Sequence, residues 1–259
     1  MSVRYFIVLA YRGEPFHGWQ RQPSDISVQQ KLEEALSTVL RRQVAVTGAG
    51  RTDAGVNASC MVAHFDVEEP VADTAALPRA LNSILGRDIT VYSLRAMHPD
   101  AHARFDATAR TYRYYYSRQR SPYSRELVWM APPTLDFDAM NRAAAILLET
   151  EDFTSFSKLH TDVKTNICHV THAMWTPLRP EDAGLVPMGA EGYFEITADR
   201  FLRNMVRAVV GTLVEVGRGR LSLEGFRDVI DRRDRCAAGT SMPGGPLFLH
   251  SVEYPYPVR

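Results

Sequence analysis

The run Gly48-Ala49-Gly50-Arg51-Thr52-Asp53-Ala54-Gly55 sets one carboxylate among small residues, with an arginine two positions before it and a glycine two after. Small residues let a backbone turn sharply and let a ligand approach closely. A carboxylate presented in that way, Asp53, is held where a substrate could reach it. By pattern alone the same segment also reads as an ordinary loop. Two other readings of a glycine-rich loop fail. The dinucleotide fingerprint needs glycine where Asp53 stands, and the phosphate loop needs Gly-Lys-Ser/Thr where Gly55 is followed by Val56 and Asn57.

A second group of candidates lies in residues 101–125, where Arg104, Arg110, Arg113, Arg118, Arg120 and Arg125 face a single acid, Asp106. Tyr112, Tyr114, Tyr115, Tyr116 and Tyr123 are interleaved with them. Basic residues among aromatics suit phosphate contacts and base stacking; a tyrosine-rich strand with solvated arginines is the alternative. Arg200, Arg203 and Arg207 recur at helical spacing, either as a solvated face or as cations that seek an acid in a cleft. The pairs His98/His102 and His169/His172 lack a third ligand at metal-like spacing, which favours structural histidines. No Gly-x-Ser-x-Gly elbow or other local nucleophile signature occurs.

Composition bounds these readings. With 259 residues, 45% apolar and 23% charged, the chain has the make-up of a soluble globular protein of one large or two modest domains. No window is long and apolar enough for a membrane span, and the first residues have no signal-peptide shape, so the cytoplasm is the expected location. Three scattered cysteines, Cys60, Cys168 and Cys236, argue against a disulfide framework and a structural zinc site. Asn57-Ala58-Ser59 matches a glycosylation acceptor only by chance in that setting. Formal net charge is zero, yet of 30 basic residues only Lys31, Lys158 and Lys164 are lysines. Arginine suits bidentate phosphate recognition and stacking on bases, and a high-GC genome enriches it as well.

Several elements must position these residues. Val3–Tyr11 reads as a strand, and a Ser27/Gln30 capping box opens a helix carrying Val28, Leu32, Ala35, Leu36, Val39 and Leu40. Gln43–Thr47 begins a second strand, and alternation through Met61, Ala63, Phe65 and Val67 marks a third. A helix from about Pro78 to Gly86 and a strand Ile89–Leu94 complete a β-α-β-β-α-β order, the ferredoxin-like split motif with a mainly antiparallel sheet. The second half reads as a looser copy: strand Thr111–Ser117, helix Asp136–Leu148, a hairpin of Cys168–Trp175 and Tyr193–Ala198 around a long connection at 176–190, helices Phe201–Val216 and Leu223–Asp231, and a final strand Leu247–Tyr254. The expected fold is therefore α+β with two ferredoxin-like halves, residues 1–104 carrying the aspartate loop and 105–259 carrying the tyrosine and arginine motifs. An active-site cleft is expected between them.

The motif set, in order along nearly the whole chain, resembles the TruA-type tRNA pseudouridine synthases. The blocks are Tyr11-Arg12-Gly13, Phe16-His17-Gly18-Trp19-Gln20-Arg21-Gln22, Ser27-Val28-Gln29, Gly50-Arg51-Thr52-Asp53-Ala54-Gly55-Val56, Ala103-Arg104-Phe105, Arg110-Thr111-Tyr112-Arg113-Tyr114, and Phe201-Leu202-Arg203-Asn204-Met205-Val206-Arg207 with Gly211 behind it. Asn57 stands where the family commonly has histidine, and Met61 where it often has glutamine.

The resemblance implies an isomerase that detaches uracil from ribose, rotates it and rejoins it through carbon, in the anticodon stem-loop of tRNA, with no metal, nucleotide or other cofactor. It implies Asp53 as the catalytic carboxylate, attacking C1′ of the sugar or C6 of the base. Arg207 matches the position that pairs with that aspartate, and Tyr112 the tyrosine that packs on the target base. Arg51 matches a position that holds RNA and helps flip the uridine from its stack. A homodimer with the tRNA across both subunits is also implied. The rival expectations are a non-catalytic RNA-binding or RNA-folding protein and a small-molecule metabolic enzyme.

Overall fold

The computed structural model describes residues 2–158, 165–182 and 186–258, apart from the side chains of Arg125 and Pro180. Lys164 and the middle of the 176–190 connection lie outside the described residues. The chain is a mixed α+β protein whose strands pair mostly antiparallel, and it divides into two compact units, Met1–Ala109 with Leu249–Arg259, and Arg110–Phe248.

In the first unit the elements run β1 (Val3–Tyr11), α1 (Val28–Leu40), β2 (Thr47–Gly48), β3 (Asn57–Val67), α2 (Leu77–Ile84) and β4 (Ile89–Met97). Central β1 pairs antiparallel with β4 on one side and β3 on the other, in registers that align Arg4 with Met97 and Val3 with Val67. Its consecutive buried residues Phe6, Ile7, Val8 and Leu9 are those of a strand covered on both faces. Each fully buried side chain of this size contributes roughly 1.5–3 kcal/mol.

α1 is capped by Ser27, whose hydroxyl accepts from Gln30 N at 3.2 Å. The expected capping box closes on that side only, because Gln30 Nε2 donates to Glu34 Oε1 instead. The expected strand at Gln43–Thr47 is reduced to Thr47–Gly48. Side chains of α1 satisfy the residues before it: Ser37 Oγ accepts from Val44 N, Glu33 Oε1 from Val46 N, and Gln29 Nε2 donates to Val46 O.

The second unit holds β5 (Ala109–Ser117, all but its first residue), β6 (Trp129–Met130), α3 (Phe137–Ile146), β7 (Val170–Pro177), β8 (Gly192–Ala198), α4 (Met205–Gly217) and α5 (Leu223–Asp231). The strand order is β5-β8-β7, antiparallel throughout, with β6 lying parallel beside the end of β5. β9 (Leu247–Glu253) follows α5, and the division between the units falls within it. In the second unit Tyr115 N donates to Pro246 O at 3.0 Å as the chain enters β9; in the first, β9 lies beside β3.

α4 is buried on almost every side: of its thirteen residues only Arg207 and Glu215 are not. It begins at Met205, four residues later than its apolar stripe predicts. Asn204 has φ +66°, a left-handed conformation that asparagine tolerates and that cannot continue a helix backwards. Arg200 and Arg203 therefore precede the helix and share no helical face with Arg207, which corrects the expectation of a three-arginine stripe.

Candidate active site

The aspartate loop joins β2 to β3, and Thr52 fastens it. The Thr52 hydroxyl lies 2.8 Å from the Tyr11 hydroxyl, and its carbonyl accepts from Trp19 N at 3.2 Å. The pairing of β1 with β3 slips in register between Leu9 and Tyr11, the kind of irregularity that re-aims a side chain. Three glycines let other backbone or rings approach. A Cβ on Gly13 would collide with the Val56 carbonyl, one on Gly18 would lie 2.5 Å from the Thr52 carbonyl, and one on Gly48 2.5 Å from the Trp19 ring. Gly18 is also at φ +90°.

The loop closes with a turn in which Val56 N donates to Asp53 O at 3.1 Å, and Gly55 takes φ +76° at its third position. Thr52 is thus buried while its neighbours are not: Arg51 is exposed and Asp53 half-buried. A Cβ on Gly50 would meet no protein atom within 4 Å, so packing inside the chain does not explain that glycine. The tight environment of Gly13 and Gly18 is signalled in the sequence only by the presence of glycine there. Thr52, to which the sequence pattern assigns no role, is the residue that holds the loop.

The two residues at which this chain differs from the usual family pattern serve the fold. Asn57 is 1% exposed and its Oδ1 accepts from Gly13 N at 2.7 Å, fastening the loop to the end of β1. Met61 is fully buried on β3 opposite Leu9.

In the second unit Tyr112 lies on β5, mostly buried, with its ring edge-on to Phe201 at 5.0 Å. Phe201 stands four residues ahead of α4, in the segment that leads into the helix bearing Arg207. Arg207 Nε donates to Met242 O at 2.5 Å, and Met242 N donates to Arg207 O at 3.1 Å. The tie of the 239–242 segment to Arg207 is not legible in the sequence.

The arginine- and tyrosine-rich segment resolves differently from a uniform RNA-facing stripe. Tyr114, Tyr115 and Tyr116 are buried core residues, and burial pushes their hydroxyl pKa values up. Arg113 pairs with Glu195 across the sheet at 2.6 Å and lies 4.3 Å from the Tyr193 ring, Arg118 pairs with Glu191, and Arg110 donates to Asp199 O. The acids that answer these arginines come from β8 and its approach, about 80 residues away, where a local charge count cannot find them. Tyr123 is exposed.

The histidines near 100 do structural work: His102 Nδ1 accepts from Arg104 N and Phe105 N, and buried His64 Nδ1 accepts from Ala103 N. Burial pushes the Cys168 thiol up to about 12, leaving it protonated and poorly nucleophilic. Among the described residues no three His, Cys, Asp or Glu side chains group as metal ligands would, and no helix is long and apolar enough to cross a membrane.

The model of the family described as tRNA pseudouridine synthase matches residues 7–106 and 143–255. The chain belongs to that family. Its relatives include proteins named tRNA pseudouridine synthase A from Bacteroides thetaiotaomicron, 60% identical over 97% of this chain and 91% of the relative, and from Parabacteroides distasonis, 56% identical over 97% and 96%. One of the same name from Neisseria gonorrhoeae is 40% identical over 97% and 92%. Arg51, Asp53 and Arg207 fall within the matched segments; Tyr112 falls between them.

Proposed function

We propose that this chain, an enzyme that converts uridine to pseudouridine in tRNA, does so with the carboxylate of Asp53 as its catalytic group. In the isomerisation the bond from C1′ to N1 breaks, a bond from C1′ to C5 forms, the C5 proton passes to solvent and N1 takes one up. Asp53 supports this by attack at C1′ or at C6. The observation that carries the reading is the fastening of Thr52, which is buried and held by Tyr11 and Trp19 while Arg51 and Asp53 on either side reach the surface. Such rigidity suits a group that must meet a reacting atom with little freedom.

The remaining roles rest on the family resemblance. Arg207 matches the family position that serves the catalytic carboxylate, Tyr112 packs on the target base, and Arg51 holds the RNA and helps turn the uridine out. The substrate is the anticodon stem-loop of tRNA, bound by a homodimer in the cytoplasm without metal or nucleotide cofactor. In each unit the order of strands and helices supports the ferredoxin-like plan, with residues 1–104 and 105–259 as the two halves of the chain. Family membership disfavours a non-catalytic RNA-binding protein.

The test is Asp53→Ala with tRNA tritiated at uridine C5. The variant is expected to bind tRNA within about threefold of wild type and to release no tritium above background. Turnover retained in Asp53→Ala would falsify the role given to this carboxylate.

A further inference from the structure

Arg207 is bonded to the loop at residues 239–242. Beyond the reciprocal bonds between Arg207 and Met242, that loop is tied down at each preceding residue. Gly239 N donates to Thr212 Oγ1 at 2.9 Å. Thr240 brings its carbonyl against Gly211, where a Cβ would collide with it. Ser241 Oγ accepts from both Asn204 Nδ2 at 2.6 Å and Arg235 Nη2 at 2.7 Å. Arg235 Nη1 also donates to Gly239 O at 3.2 Å.

Two features make this more than loop packing. Asn204 stands at the start of α4 in the left-handed conformation, and its amide reaches Ser241 one residue before the carbonyl that takes the Arg207 Nε–H. Arg235 spends donors from both terminal nitrogens on one short loop. An Nε hydrogen bond fixes the plane of a guanidinium and so the direction in which its Nη pair points.

We propose that Ser241, gripped by Asn204 and Arg235, is a positioning residue for Arg207: it holds the Met242 carbonyl, and thereby the Arg207 guanidinium, in the orientation that serves the reaction. This rests on the reading that Arg207 assists the chemistry.

The test is a double-mutant cycle in steady-state tRNA assays, using Ser241→Ala and Arg207→Lys, with Ser241→Thr as the conservative control. Ser241→Ala should lower kcat about tenfold with KM for tRNA unchanged, Ser241→Thr should restore most of it, and Ser241→Ala should cost little further in the Arg207→Lys background. Equal losses from Ser241→Ala in both backgrounds, or a loss in KM alone, overturn the positioning role while leaving Arg207 in place. Wild-type turnover by Arg207→Lys overturns the role of Arg207 itself. If Ser241→Ala fails to fold, Arg235→Lys, which keeps the charge and loses the fork, gives the same readout from the other side of the hydroxyl.

Discussion

The two units fix one charged group each, by different means. The loop bearing Asp53 combines hydrogen bonds from Thr52 to Tyr11 and Trp19 with close backbone packing, in which glycines at 13, 18 and 48 admit neighbours that no side chain would tolerate. Arg207 is held by polar side chains, through Met242 to Ser241, Asn204 and Arg235. Close packing of backbone against backbone fails abruptly when one atom is added. A polar network loses one bond at a time, each worth about 1 kcal/mol, and degrades gradually. The carboxylate loop should therefore be intolerant of substitution and the arginine loop graded in its response.

The largest effect is expected at Gly18. Alanine there must accept φ +90° and a carbonyl 2.5 Å away, at a cost of about 4 kcal/mol from strain and displacement combined. Chemical denaturation should show that loss together with loss of turnover. A stable, active Gly18→Ala would remove the distinction between the two regions.

Gly211→Ala sharpens the comparison from the other side. The added methyl also meets a backbone carbonyl, that of Thr240, but Gly211 lies within a helix and, unlike Gly18, adds no strain from a positive φ. About 2 kcal/mol is expected, with kcat reduced while the KM for tRNA stays level.

An effect no larger than that of Gly211→Ala concerns mild acid. Burial holds His64 at a pKa of about 4 against an ordinary 6.5, and His102 is lowered in the same direction. The unfolded chain takes up a proton below pH 6.5 that folded His64 refuses until about pH 4. Stability is thus full above 6.5 and declines as pH falls between these values. The His64 share at pH 5 is roughly 2 kcal/mol. Amide exchange should show residues 98–106 and the β1–β3 pairing weakening first in acid. His64→Gln, which keeps an acceptor for Ala103 N without titrating, should flatten the dependence.

Much of this was legible in the sequence because the signals were local. Apolar runs and alternation marked β1, β3 and β5, Ser27 and Asp136 cap their helices, and Pro78 sits in the first turn of α2. The Asp53 loop was visible from its small residues. What escaped reading depended on distant partners or on one backbone angle. Val44 and Val46 look like strand residues, yet side chains of α1 take their hydrogen bonds. The stripe from Phe201 looks like continuous helix, yet Asn204 turns left-handed. The tyrosines of β5 look like an RNA-stacking ladder, yet three of them fill the core. Met242 carries no chemical signature, because only its carbonyl matters to Arg207.

The most direct measurement replaces Asp53 with asparagine, which keeps the size and shape of the side chain and removes its charge. Wild type and Asp53→Asn are each mixed in excess with tRNA, and pseudouridine is mapped at single-nucleotide resolution over a single turnover. Complete conversion by wild type and none by Asp53→Asn, with equal tRNA binding, is the expected result. Conversion by Asp53→Asn at a rate within tenfold of wild type would contradict a catalytic carboxylate at this position.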